Sequence, residues 1–188
     1  AKGYTHHESQ PFARSFAGKH WLFMHNGDLD RRGLAELHTN NSRFLEPLGR
    51  TDSELAFVYL LGKMQQSDAR MLSDVPYHEL HGWLQALDAL GSADLCISDG
   101  ISVVAYLGKN TQRALHYSRV QPPERPDILH APMVHIALND ARDSYRTGVV
   151  FSSTAFNEGE WEAMHPGQMV VARMGGMVWS SVIENGDI

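Results

Sequence analysis

Apolar and polar positions divide the chain into a strand, two helices and a long β-rich remainder. The run at 21–25 (WLFMH) ends at Asn26-Gly27, which predicts a strand entering a tight turn where glycine permits positive φ. A polar stretch follows, with room for a short helix near Leu34. The string 51–54 (TDSE) has the S/T-x-x-E form of a capping box. Leu55, Val58, Tyr59, Leu61 and Met64 then recur near helical spacing, so a helix is predicted to begin at Asp52. A second helix is predicted with Pro76 at its first position, Leu80, Trp83, Leu84, Leu87 and Leu90 on one face, and Gly91 as its stop. Both helices are amphipathic and must pack on something.

Beyond them, 95–98 and 101–107 flank Asp99-Gly100, a type I′ hairpin signal. Residues 113–119, 134–138 and 147–152 are further strand candidates, and 168–174 and 177–183 flank Gly175-Gly176 as a second hairpin. The stretch 121–132, with prolines at 122, 123, 126 and 132, reads as a surface crossing within one domain spanning 1–188. Strands on both sides of two early helices predict an α+β fold with antiparallel sheets, layered helix-sheet-sheet-helix.

Composition narrows the function classes. At 188 residues, 43% hydrophobic and 20% charged, the chain has the makings of one globular core. A net charge of -6, with 16 scattered Lys and Arg, disfavours nucleic acid, which needs a basic face. No apolar run has the length of a membrane span and no signal-peptide plan opens the chain, so a soluble protein without a membrane partner is expected. The single cysteine, Cys96, excludes an intrachain disulfide and suits a reducing compartment, the cytoplasm by default. Its place in an apolar strand candidate assigns it to packing. His78 and His81 stand i, i+3 on the second helix, and His6-His7 are adjacent, but neither pair has convergent carboxylates or thiols, so no metal is expected. A lone histidine at a strand end, as at His25, is ordinarily a hydrogen-bonded structural residue, and it is given no role.

Two strings carry more than pattern. WLFMHNG at 21–27 and GRTDSELAF at 49–57 resemble the paired signature of class II glutamine amidotransferases, a strand ending in His-Asn-Gly followed by a Thr-Asp-Ser/Thr-Glu helix start. ISDG at 97–100, VVFSS at 149–153 and WEAMHPGQMVV at 161–171 resemble successive segments of the stand-alone bacterial members. AKG at 1–3 and QPF at 10–12 resemble the tail of the family's Arg-x-x-Thr-x-Gly stretch and its His-Pro element, with Gln10 standing where histidine is usual.

The resemblance implies an Ntn-hydrolase fold, a four-layer α-β-β-α sandwich, and release of ammonia from a glutamine side-chain amide through a cysteine thioester. It implies that the nucleophile is the first residue of the mature chain, whose α-amine, with a pKa of about 7.7–8.0, serves as its base. Ala1 does not supply it. The nucleophile, the first strands of the fold and the arginine for the substrate carboxylate are therefore expected outside these residues. A fragment of a complete enzyme is the preferred reading; a chain paired with a second polypeptide carrying that segment and an inactive relative are the others. Attack on a carboxamide develops an oxyanion, which Asn26 and Gly27 are suited to receive through a side-chain amide and a backbone N–H. Taken without the resemblance, Asn-Gly is an ordinary turn and an aspartate at position 52 an ordinary first-turn residue. By the resemblance, Asp52 accepts the substrate α-ammonium. The expected activity is amide hydrolysis of glutamine or a γ-glutamyl compound without a cofactor; the alternative is a binding or regulatory homologue using the same pocket without turnover.

Overall fold

In the computed structural model the described residues are 9–39, 45–122, 128–131, 134–137, 145–156 and 160–182. The chain opens with β1 (Phe12–Phe16) and β2 (Lys19–Leu29), followed by α1 (Arg31–Thr39), α2 (Asp52–Gln66) and α3 (Tyr77–Asp88). Then come β3 (Gly91–Ser98), β4 (Ser102–Tyr106), β5 (His116–Val120), β6 (Ile128–Ala131), β7 (Val134–Ala137), β8 (Gly148–Ser152), β9 (Glu162–Ala163), β10 (Met169–Arg173) and β11 (Gly176–Ser180). Six strands form one sheet in the order β1-β2-β3-β4-β10-β11, three form a second, β8-β5-β9, and β6 with β7 makes a ribbon. Every pairing is antiparallel.

Strand alternation sorts the large sheet into two apolar faces. Trp21, Phe23, Leu95, Ile97, Val104, Tyr106, Met169 and Val171 point to the helices and form one core with Leu34 of α1, Phe57, Leu60, Leu61 and Met64 of α2, and Leu80, Leu84 and Leu87 of α3. Phe23 and Phe57 stack with ring centroids 5.2 Å apart, fixing α2 over β2. Ala105 and Val170 point the other way, against Tyr117 of β5 and Met164, with Val149 and Phe151 of β8 packed alongside. Among the described residues this gives helices, large sheet and small sheet in layers; no described helix belongs to the second core. Leu22 and Met24 of β2 stay 44% and 47% exposed. No described helix is long and apolar enough to cross a membrane.

Several expectations shift in register. Asn26-Gly27 is not a turn: β2 runs through it to Leu29, paired with β3 as far as Leu29↔Gly91. The first hairpin turns one residue later than Asp99-Gly100. Asp99 N–H donates to Ser102 O, leaving Gly100 and Ile101 between them, and only Gly100 has positive φ, so the turn is not type I′. The reason is the Asp99 carboxylate, which accepts from the N–H groups of Ile101, Ser102 and, across the fold, Leu72. The second hairpin turns one residue early, at Met174-Gly175; both have positive φ, as type I′ requires. Pro76 caps α3 rather than opening it, and Leu90 lies past its end. The proline-flanked crossing contains β6.

The start of α2 holds as read, but its capping box does not close. Thr51 Oγ1 accepts from Glu54 N–H at 3.1 Å. The Glu54 carboxylate turns away, to the N–H groups of Leu48 at 2.8 Å and Gly49 at 2.5 Å and to Arg14 Nη2 of β1 at 2.6 Å. Burial alone would raise its pKa. The hydrogen bonds from Leu48, Arg14 and Gly49, with the Arg14 charge, outweigh that and hold it below the ordinary 4.5. A depressed folded pKa means that the carboxylate's stabilisation is present above the unfolded value and is lost as pH falls through the folded one. Glu54→Gln is predicted to lower unfolding free energy at pH 7 by about 1.5–3 kcal/mol, a penalty that shrinks below pH 4.5. Urea titrations across that range check it; a penalty independent of pH would contradict it.

Candidate active site

The end of β2 is half a ladder. One edge pairs with β3, but β1 covers the other only as far as Phe12↔Phe23. In an antiparallel strand the N–H and C=O of alternate residues share an edge, so His25, Gly27 and Leu29 all face the uncovered side. Two of the three are satisfied by side chains. His25 N–H donates to Gln10 Oε1 at 2.6 Å, and Gln10 Nε2 donates back to His25 O at 2.7 Å. Leu29 N–H donates to Asp52 Oδ2 at 2.9 Å. Gly27 lies between them, and the Asn26 side chain beside it is exposed.

Gly27 is required by a close approach rather than by a turn. A Cβ there would sit 1.9 Å from Ser92 O of β3 and 2.6 Å from His25 Nε2. The Ser92 carbonyl occupies that space because it accepts from His25 Nε2 at 3.0 Å; Asp28 N–H is met instead by Ser92 Oγ at 3.1 Å. A carbonyl only accepts, so His25 donates from Nε2, while its Nδ1 shares a hydrogen bond with the Ser53 hydroxyl at 2.9 Å. Buried His25 therefore ties β2 to β3 and to the first turn of α2, the hydrogen-bonded structural residue expected.

Asp52 is half-buried at the head of α2; Oδ2 is committed to Leu29, and no bond to Oδ1 occurs among the described residues. Its anchor is two residues beyond Gly27, about 7 Å along the strand at ~3.3 Å per residue. The fold thus brings Gly27 and Asp52 to one strand edge, with the exposed Asn26 adjacent to Gly27 in β2.

A cavity of about 300 Å3 opens beside Asn26 between the two sheets, walled by Met24, Cys96, Ala105, Leu115 and Phe151, with Arg113, Ser152 and Ser153 at its polar side. Arg113 Nη1 donates to Asn26 O at 3.1 Å and lies 3.8 Å from Asp94 Oδ2. Asp94 is itself held by Gly108 N–H and the Thr111 hydroxyl. Sequence reasoning missed Arg113 and Asp94: neither stands in a recognisable string, and only the pairing of β2 with β3 reveals their place. Cys96 lines the same cavity, yet burial pushes its thiol up to about 12. Among the described residues no group of three His, Cys, Asp or Glu is arranged for a metal. His81 bonds Gly167 O at 2.9 Å and packs on Tyr106 and Trp179, while His6-His7 lies outside the described residues.

Comparison with known proteins bears on the family and the fold. The family described as glutamine amidotransferases class-II matches residues 1–186. An uncharacterized protein of Methanocaldococcus jannaschii is 26% identical over 92% of this chain and 47% of its own length. YafJ of Escherichia coli, which carries the provisional name of a glutamine amidotransferase, is 29% identical over 85% of this chain and 60% of its own length. The chain thus spans about half the length of these curated relatives. Among solved structures, a predicted glutamine amidotransferase from Pseudomonas aeruginosa superposes with a TM-score of 0.74 at 22% identity, covering 93% of this chain and 66% of that one. The glutamine phosphoribosylpyrophosphate amidotransferase of B. subtilis gives 0.52 at 18% identity, covering 94% and 32%. These likenesses establish the Ntn-hydrolase type of fold. With the family matched over nearly its whole length, the chain belongs to the class II glutamine amidotransferases.

Proposed function

We propose that the open edge of β2 is the acyl-transfer site of a glutamine amidohydrolase, in which the Asn26 side-chain amide and the Gly27 N–H receive the oxyanion and Asp52 holds the α-ammonium of the substrate. The observation that carries this reading is the spacing of two groups: the Gly27 N–H, which has no side-chain partner among the described residues, and the Asp52 carboxylate, anchored two residues further on. A backbone donor at Gly27 and a carboxylate at Asp52 lie on one rigid strand edge, with Asp52 itself fixed by Leu29 N–H. Glutamine separates its amide carbon from its α-ammonium by a short chain, which fits a separation of about 7 Å.

The reaction begins with a thiolate adding to the amide carbon. The carbonyl π pair moves to oxygen, where Asn26 and Gly27 stabilise the charge without reorganising. Collapse of the adduct expels ammonia, protonated by the conjugate acid of the base that first took the thiol proton. Water then attacks the thioester, releasing the acid and restoring the thiol. Cys96 is unsuited to this role. With its thiol raised to about 12 it would be ionised at pH 8 to roughly one part in ten thousand, against about a quarter for an ordinary cysteine of pKa ~8.5. The nucleophile in this reading is a chain-initial cysteine from outside these 188 residues, on the same polypeptide or on a second one. The substrate is glutamine or a γ-glutamyl compound, and no cofactor takes part. Binding of the same ligand without turnover is the competing reading, favoured by the glutamine that stands at position 10 in place of histidine.

In the full-length protein Asn26→Ala is predicted to lower kcat by about 10²–10³ with little change in KM, the loss of one oxyanion donor. Asp52→Asn keeps an acceptor for Leu29 N–H but removes the charge, and is predicted to raise KM for glutamine roughly tenfold or more with a smaller effect on kcat, since a charge-assisted hydrogen bond is worth about 1.5–3 kcal/mol. Steady-state ammonia release measures both; unchanged kinetics in the two variants would refute the assignment, and glutamine binding without ammonia release would establish the competing reading. Cys96 is predicted to alkylate with iodoacetamide at pH 8 about a thousandfold more slowly in the folded than in the unfolded protein, read by peptide mass mapping, and Cys96→Ala to retain turnover. Loss of turnover on that substitution, with folding intact, would make Cys96 a participant.

A further inference from the structure

We propose that Gln10 is a positioning residue for the oxyanion donors, its side-chain amide standing in for the missing stretch of neighbouring strand beside Asn26 and Gly27. This rests on the reading of Gly27 as an oxyanion donor and assigns a second residue to the same site.

The register carries the argument. β1 pairs with β2 as Phe16↔Lys19, Arg14↔Trp21 and Phe12↔Phe23. Two residues further on, position 10 falls opposite His25, where an antiparallel ladder would exchange its next two hydrogen bonds. Pro11 has no N–H and β1 stops at Phe12, so the backbone ladder ends there. Gln10 supplies both missing bonds from its side chain: Oε1 accepts from His25 N–H at 2.6 Å and Nε2 donates to His25 O at 2.7 Å. A primary amide presents one acceptor and one donor in a plane, the same pair a strand residue presents along its edge.

The consequence falls on the next residues. The His25 carbonyl belongs to the peptide unit that ends at Asn26, so holding it fixes the plane that carries the Asn26 Cα, from which the Asn26 side chain projects; the Gly27 N–H lies in the next unit, whose carbonyl, Asn26 O, accepts from Arg113 Nη1 at 3.1 Å. Asp52 fixes the Leu29 N–H on the far side. The edge is therefore clamped at 25 and at 29 with Gly27 between the clamps, its backbone open to a ligand and its lack of a side chain enforced by Ser92 O. Oxyanion donors act only when held in place before the charge develops, and a misplacement of 1 Å costs on the order of 10²-fold in rate. An exposed glutamine with a reciprocal bond pair to the backbone adds little to the core, so its effect belongs to rate rather than to folding.

The test uses the full-length protein and ammonia release from glutamine. Gln10→Ala is expected to lower kcat about tenfold to a hundredfold, with KM within about threefold and little change in thermal midpoint. Gln10→Glu keeps the acceptor for His25 N–H but sets a carboxylate oxygen against His25 O. Its kcat relative to wild type is expected to rise as pH falls toward the ordinary carboxyl value of about 4.3, where the protonated acid again offers one donor and one acceptor. Wild-type kcat in Gln10→Ala, with Asn26→Ala impaired, would overturn the role of Gln10 and leave the oxyanion assignment standing. Unimpaired kcat in both variants, or no turnover by the wild type, would remove both. Where Gln10→Ala does not fold, a Gln10→Glu to wild-type ratio that stays flat with pH overturns the proposal.

Discussion

Everything at this site follows from a strand that outruns its neighbour. β2 continues past Phe12, the first residue of β1, and a strand edge at the margin of a core leaves N–H and C=O groups that must find partners. The fold answers with side chains: Gln10 at His25 and Asp52 at Leu29. Gly27, between them, has no such side-chain partner among the described residues. An edge that would ordinarily be a liability thus becomes a rigid row of backbone dipoles, backed on its other side by β3 and beneath by the Phe23–Phe57 stack.

The same constraint explains why the helical layer matters to the chemistry. Asp52 reaches Leu29 only because α2 starts where it does, and that start is secured twice: by the Thr51 cap and by the Glu54 carboxylate, which gathers Leu48, Gly49 and Arg14. Ser53, between Asp52 and Glu54, accounts for the His25 ring. Four consecutive residues thus serve as helix cap, substrate contact in the proposed reading, histidine anchor and ion-pair partner. A change anywhere in this turn is transmitted to β2 through hydrogen bonds rather than through loose packing.

What the sequence disclosed follows the range of each interaction. The Thr51 cap is local, and the start of α2 was readable from its string. The two hairpins were recognisable but each was off by one, because turn position depends on which residues pair, and at Asp99 a carboxylate overrides the turn signal. Asn26-Gly27 looked like a turn because a turn and a close approach both ask for glycine; only Ser92 O, on another strand, tells them apart. Glu54 looked like a closed capping box because its partner Arg14 lies 40 residues away. The prolines around β6 flank the strand rather than interrupt it, and so hid it. Motif resemblance reached the family and singled out three candidate site residues, where pattern alone did neither. It could not reach Arg113 or the bonding of Gln10, whose roles exist only once β2 is paired.

The most direct test of the account is the amide resonance of Gly27 in the isotopically labelled full-length protein, recorded free and with an aldehyde analogue of glutamine that forms a tetrahedral adduct with the catalytic thiol. The account predicts a large downfield shift of the Gly27 N–H as it binds the adduct oxygen, with the His25 and Leu29 amides, already held by Gln10 and Asp52, nearly unmoved. An adduct that forms while the Gly27 amide stays in place would contradict it.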